Sequence, residues 1–254
     1  MKIDFVLTAG NIHPHYTRLF PLVYKVWKER FNLDCYLILI ADDIPDYLIE
    51  LKDFIILWKY NKNLKDSYLS QVIRILYPAL YPDKNILITD LDIFPIKKSY
   101  FIEPIKDIDE DKFIAYTDRS LKQNMISVCY NVAKGTTWSK IFNIKTEEDI
   151  ITRLEEWYNE EYTGKKNCLG WYTDQKKLYE YVLKYNANKV IFLKDKEIGY
   201  NRLNNRQVNK VYIVNNFDEI CTNINKYNDI HAIKPYRKIK WYLNKLVESI
   251  INSQ

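Results

Sequence analysis

Two rhythms of apolar residues alternate along the chain. Short, nearly unbroken apolar runs at 3–7, 36–40, 54–57, 85–89, 113–116, 127–132, 190–193 and 211–214 have the length and residue types of buried strands. Between them, apolar positions recur at helical spacing. The clearest case runs from Tyr16 to Phe31, with Leu19, Leu22, Val23, Val26 and Trp27 on one face. Further helices are predicted over 67–80, limited by Pro78 and Pro82, over 145–161, over 173–185 with Thr173 as its N-cap, and over 236–251. The stretch Thr8-Ala9-Gly10-Asn11 reads as a turn after the first strand, and Ala41-Asp42-Asp43 as the close of the second. Strands alternating with helices predict an α/β fold with a mixed, mostly parallel sheet flanked by helices. No repeat, low-complexity segment or linker interrupts the pattern, so residues 1–254 read as a single domain.

Composition narrows the function classes. Five glycines in 254 residues argue against a glycine-rich phosphate loop, while 47% hydrophobic residues suffice for a sizeable core. The net charge of +5 is spread along the chain and densest over 234–245, KPYRKIKWYLNK. That stretch reads as a solvated face of a terminal helix, or as a face for peripheral contact with an anionic membrane. No nucleic-acid module is recognisable, so no specific nucleic-acid partner is expected. Cys35, Cys129, Cys168 and Cys221 form no Cys-x-x-Cys pair and read as small packed hydrophobes in a reducing compartment. Apolar runs fall short of the roughly 20 residues of a spanning helix, and the first residues lack a signal-like apolar region. A soluble, cytoplasmic protein is the expectation.

The strongest local signal is NILITDLDIFPI, residues 85–96. An apolar strand delivers Asp90 and Asp92 at its C-terminal end, where open α/β sheets bind ligands. Two bare carboxylates this close are costly to bury, and a hard divalent cation, Mn²⁺ or Mg²⁺, removes that cost. An Asp-rich turn at a strand end is the plainer alternative.

In this setting the sequence resembles the GT-A glycosyltransferases, particularly the family 8-like group, whose "ILYLDADI"-type strand carries a D-x-D motif. The resemblance implies transfer of a sugar from a nucleotide-sugar donor, with a UDP-sugar favoured, to a glycan, protein or lipid acceptor. It implies metal ligation by Asp90 and Asp92, and an arginine brace matched here by Arg74 in Ser70-Gln71-Val72-Ile73-Arg74. Family 8 enzymes also carry a late H-x-x-G-x-x-K-P-W segment. The shortened His231-Ala232-Ile233-Lys234-Pro235 corresponds to it, with His231 implied as a metal ligand and Lys234 as a diphosphate contact. The glycine and one turn of spacing are missing, and Tyr236 replaces the tryptophan.

The resemblance places the nucleotide at Thr8, Ala9 and Gly10, with Asp42 or Asp43 toward the uracil or ribose. Asp174-Gln175 matches a "DQ" that opens a helix near the reaction centre. Asp174 would serve as general base in an inverting enzyme, and Asp174 or Gln175 would orient the donor sugar in a retaining one. A plain helix cap is the alternative for Asp174. Asn131, by a looser match, and Trp171 and Tyr172, by their rings, are further sugar contacts to weigh. About 1–118 would form the nucleotide-sugar half and about 119–254 the acceptor-facing half.

Two other functions use similar residues. Haloacid dehalogenase-type phosphatases also follow an apolar strand with Asp-x-Asp, but on their first strand and with a later Gly-Asp motif that is not evident here. A non-catalytic nucleotide-sugar-binding protein of the same fold is the other.

Overall fold

A computed structural model describes residues 1–60, 63–203, 215–232 and 236–253. The predicted strand over 211–214 and the candidate Lys234 lie outside the described residues. A seven-stranded sheet has the order β3-β2-β1-β4-β7-β6-β8. Its strands are β1 (Phe5–Asn11), β2 (Asp34–Ile40), β3 (Ile55–Trp58), β4 (Asn85–Ile88), β6 (Phe113–Ala115), β7 (Asn131–Lys134) and β8 (Val190–Phe192). All neighbours pair in parallel except β7, which runs against both β4 and β6. The C-terminal ends of β1, β2, β3, β4, β6 and β8 therefore open on one edge. A second sheet of three short strands, β5 (Ile93–Pro95), β10 (Asp229–His231) and β9 (Arg202–Leu203), stands in that order.

Side chains alternate across the sheet, as strand geometry requires. Val6, Leu37, Leu87 and Ile114 enter one core with α1 (Phe20–Phe31) and the last helix, Tyr236–Asn252. Leu7, Ile38, Ile88 and Phe113 enter another with α2 (Asp66–Leu76), α4 (Gly135–Phe142), α5 (Glu147–Trp157) and α6 (Thr173–Tyr185). The sheet is covered on both faces, which is why its strands read as continuous apolar runs.

Several sequence expectations shift. Residues 8–11 continue β1 rather than turning, because β2 pairs with β1 from Phe5↔Asp34 through Asn11↔Ile40. Residues 127–130 precede β7, which begins only at Asn131. The helix expected over 67–80 ends at Leu76 and tightens into a 3₁₀ turn, Tyr77–Leu80, where Pro78 removes a backbone donor. Thr173 is the first helical residue rather than the cap; its hydroxyl donates to the Gly170 carbonyl at 2.8 Å. The strands β5, β9 and β10 and the helix α3 (Lys98–Ile102) had no separate sequence signal.

Candidate functional site

The apolar strand β4 ends at Ile88, and Asp90 and Asp92 follow it onto the open edge of the sheet. Leu91, between them, is buried at 4% exposure. The chain turns at Leu91 and Asp92, and Asp92 is buried as well, at 5% exposure.

Arg74 lies in the last turn of α2. Its Nη1 donates to Asp90 Oδ1, its Nη2 to Asp174 Oδ2 at 3.0 Å, and its Nε to the Gln71 carbonyl at 3.1 Å. The arginine side chain is 11% exposed and that of Asp174 4%, against 32% for Asp90. Burial disfavours the charge on Arg74, but the carboxylates of Asp90 and Asp174 outweigh it and raise its pKa above the ordinary value. Burial likewise pushes the carboxyl of Asp174 upward, and the charge and hydrogen bond of Arg74 only partly oppose it. The arginine thus joins two acids 84 positions apart in sequence, from 90 to 174, at one point in space.

The second pair is Asp92 and His231. His231 Nε2 lies 3.2 Å from Asp92 Oδ2, and each side chain is 8% exposed. The second sheet creates this meeting. β10 pairs antiparallel with β5 so that His231 faces Ile93, and the Ala232 N–H donates to the Asp92 carbonyl at 2.7 Å. An imidazole nitrogen beside a carboxylate oxygen is a donor set that suits Mn²⁺, and carboxylates also suit Mg²⁺. Among the described residues, no three His, Cys, Asp or Glu side chains are grouped closely enough to hold an ion by themselves. Asp92 and His231 are two side chains of the types that ligate such a cation, set 3.2 Å apart.

The remaining sequence candidates sit as follows. Thr8 is fully buried and its hydroxyl has no partner among the described residues; Ala9 is 6% exposed. Gly10 lies against Leu91, whose Cδ2 would stand 2.7 Å from an added Cβ, so glycine lets β1 approach the D-x-D segment. Asp42 is exposed just past β2 on the same edge. Gln175 is half-buried at the start of α6, and its carbonyl accepts from the Ile126 N–H at 3.1 Å. Asp174 Oδ1 accepts the Gln175 N–H at 2.8 Å, so Arg74 and the backbone take both oxygens of a buried carboxylate. Asn131 is also buried, and its side-chain amide donates to the Ser127 and Val128 carbonyls at 2.8 and 2.7 Å. It pins the loop before β7. Trp171 stacks on Tyr162 and, with Tyr172, lines a cleft of about 440 Å³ that also contains Lys176 and Lys177.

Sequence reasoning missed a polar group behind the site. Arg202 grips the fully buried Asp229 with two nitrogens, at 2.6 and 2.7 Å, and the Tyr130 hydroxyl donates to the same carboxylate at 2.9 Å. On the same edge, Arg119 pairs with Asp195 at 2.7 Å and stacks over the Tyr200 ring at 3.9 Å. The one available signal was Asp229 itself, an acid inside the apolar run Asp229-Ile230-His231-Ala232.

The fold is that of the GT-A glycosyltransferases, and solved structures of such enzymes are its neighbours. The apo-form glycosyltransferase GlyE of Streptococcus pneumoniae TIGR4 matches with a TM-score of 0.53 at 15% identity, over 99% of this chain and 63% of that one. A second GlyE structure matches with a TM-score of 0.50 at 15% identity, over 98% and 63%. The galactosyltransferase LgtC, in complex with donor and acceptor sugar analogues, gives 0.48 at 13% identity, over 96% and 94%. This chain spans 63% of the length of GlyE. No family model matches the chain, and no curated protein does.

Proposed function

We propose that this protein is a metal-dependent glycosyltransferase that takes a sugar from a nucleotide-sugar, a UDP-sugar by preference, to a glycan, protein or lipid acceptor. One observation carries the reading: the Asp90–Arg74–Asp174 bridge and the Asp92–His231 pair converge on the edge where a parallel sheet receives ligands. In this reading Asp90, Asp92 and His231 hold Mn²⁺ or Mg²⁺. The bound cation supplies charge neutralisation at the nucleoside diphosphate leaving group.

The protein's own groups have distinct tasks. Arg74 holds Asp90 in place and favours the ionised form of Asp174 against the effect of its burial. Asp174 fixes Arg74 from below, and Gln175, the accessible partner in that dipeptide, reaches toward the donor sugar. Ala9 and Gly10 form the backbone wall for the nucleotide beside Thr8, and Asp42 stands where a ribose or base would reach. Lys234 contributes positive charge to the diphosphate. Among the described residues no helix is long and apolar enough to cross a membrane. The last helix exposes Lys240, Trp241 and Lys245 on one face, which supports peripheral contact with an anionic surface.

Thermal shift with UDP and Mn²⁺, followed by donor hydrolysis across UDP- and GDP-sugars, tests the reading. A cation-dependent shift that Asp92→Asn abolishes, with sugar release by the wild type, is expected. Binding without turnover would leave a nucleotide-sugar-binding protein, and turnover of p-nitrophenyl phosphate instead would favour a phosphatase.

A further inference from the structure

Asp229 is a carboxylate with no exposed surface, two residues before His231 on β10. Residues two apart on a strand share a face, so whatever holds Asp229 sets where the His231 imidazole stands. Two side chains hold it, through three donors. Arg202 lies directly across the β9–β10 ladder and takes both carboxylate oxygens. The two-pronged fork resists rotation in a way a single contact does not. Tyr130 adds its hydroxyl from the loop before β7, with its ring packed edge-on against Phe101 at 4.7 Å.

The same arginine also faces the other half of the site. Arg202 Nη2 lies 3.9 Å from Cys129 Sγ, and that sulfur lies 3.5 Å from the hydroxyl of Thr89, the residue before Asp90. A buried ion pair is weak evidence for stability, since an apolar replacement of similar volume often serves as well. Its directional contacts are better evidence of a position being held.

We propose that Arg202, Asp229 and Tyr130 are positioning residues that lock β10 in register and hold His231 against Asp92. The proposal uses the cation reading above for one of its two readouts, and stands without it on the other.

The test uses the full chain as wild type, Arg202→Lys and Tyr130→Phe. Lysine keeps the charge and loses the fork; phenylalanine keeps the ring and loses the hydroxyl. Mn²⁺ binding with UDP present is followed by electron paramagnetic resonance. Amide hydrogen exchange at Ala232 is compared with the amides of β1. Arg202→Lys should weaken Mn²⁺ about tenfold, the size of effect typical of groups that orient metal ligands, and Tyr130→Phe should weaken it less. Both should quicken exchange at Ala232 while β1 is unchanged. In a His231→Ala background, Arg202→Lys should weaken Mn²⁺ no further, because the group it positions is gone. Wild-type affinity and wild-type Ala232 exchange in both variants would overturn the proposal, as would a full additive loss in the His231→Ala background. If the wild type binds no Mn²⁺, the cation reading falls by itself. Exchange at Ala232 then decides the positioning role: quickened supports it, unchanged refutes it.

Discussion

Replacing Arg74 by alanine strands a carboxylate. Asp174 is 3% exposed, and Arg74 is its only ion-pair partner among the described residues. Removing one partner of a buried pair typically costs about 3–5 kcal/mol, because the other charge stays dehydrated and uncompensated. Asp90 adds little, since its side chain is 32% exposed and water can take over. For a chain of this size the loss corresponds to a fall in Tm of about 10 °C. The penalty should depend on pH in a direction fixed by the chemistry. Burial already raises the Asp174 pKa, and Arg74 supplies the two largest opposing contributions. Without Arg74 the folded-state pKa climbs further above its unfolded value of about 3.9. A carboxyl raised in the folded state leaves stability intact below the unfolded pKa and loses it as pH rises through the folded one. The gap between Arg74→Ala and wild type should therefore be widest near pH 8 and shrink as pH falls toward about 4.5. Urea unfolding at a series of pH values measures it. Arg74→Ala/Asp174→Ala should recover part of the loss at neutral pH. A gap that stays constant with pH, or a double variant less stable than the single one by the full cost of a second lesion, would refute the reasoning.

Other substitutions test separate features. Asp92→Asn should abolish the Mn²⁺-dependent thermal shift with UDP while leaving the apo Tm near wild type; an unchanged shift counts against the site. Gly135→Ala places a Cβ 1.9 Å from the Tyr81 carbonyl oxygen, a backbone atom that cannot swing aside, and should destabilise by about 3 kcal/mol in urea unfolding. Gly10→Ala meets only the end of the Leu91 side chain, and should cost about 1 kcal/mol by the same assay. Trp241→Ser removes a 60% exposed ring and should change stability by less than about 0.5 kcal/mol. It should also weaken co-sedimentation with anionic vesicles; equal sedimentation removes the membrane contact.

Much of the fold was legible because burial on both faces writes each central strand as an apolar run. The runs at 36–40 and 85–89 matched β2 and β4 to within a residue or two. The turn expected at residues 8–11 failed for a local reason: Thr8, Ala9, Gly10 and Asn11 suit a turn by type, yet β2 offers seven consecutive partners across the ladder. Strands of two or three residues, such as β5, β9 and β10, carry too few positions for any period to register. Asp90 and Asp92 stood out because acids directly after an apolar strand are conspicuous. Asp229 and Arg202 did not, because a buried acid in a strand acquires meaning only once its partner is known.

From its sequence alone, this protein's alternation of elements, its acidic strand end at 90–92 and the helical placement of Arg74 and Asp174 were determined, since each depends on neighbours close along the chain. Tertiary structure decided which charges meet. Arg74 reaches both Asp90 and Asp174, and His231 comes to Asp92 through a strand pairing that spans more than half the chain. A buried charge is tolerated only beside its counter-charge, and which residue supplies that counter-charge is settled by packing in three dimensions.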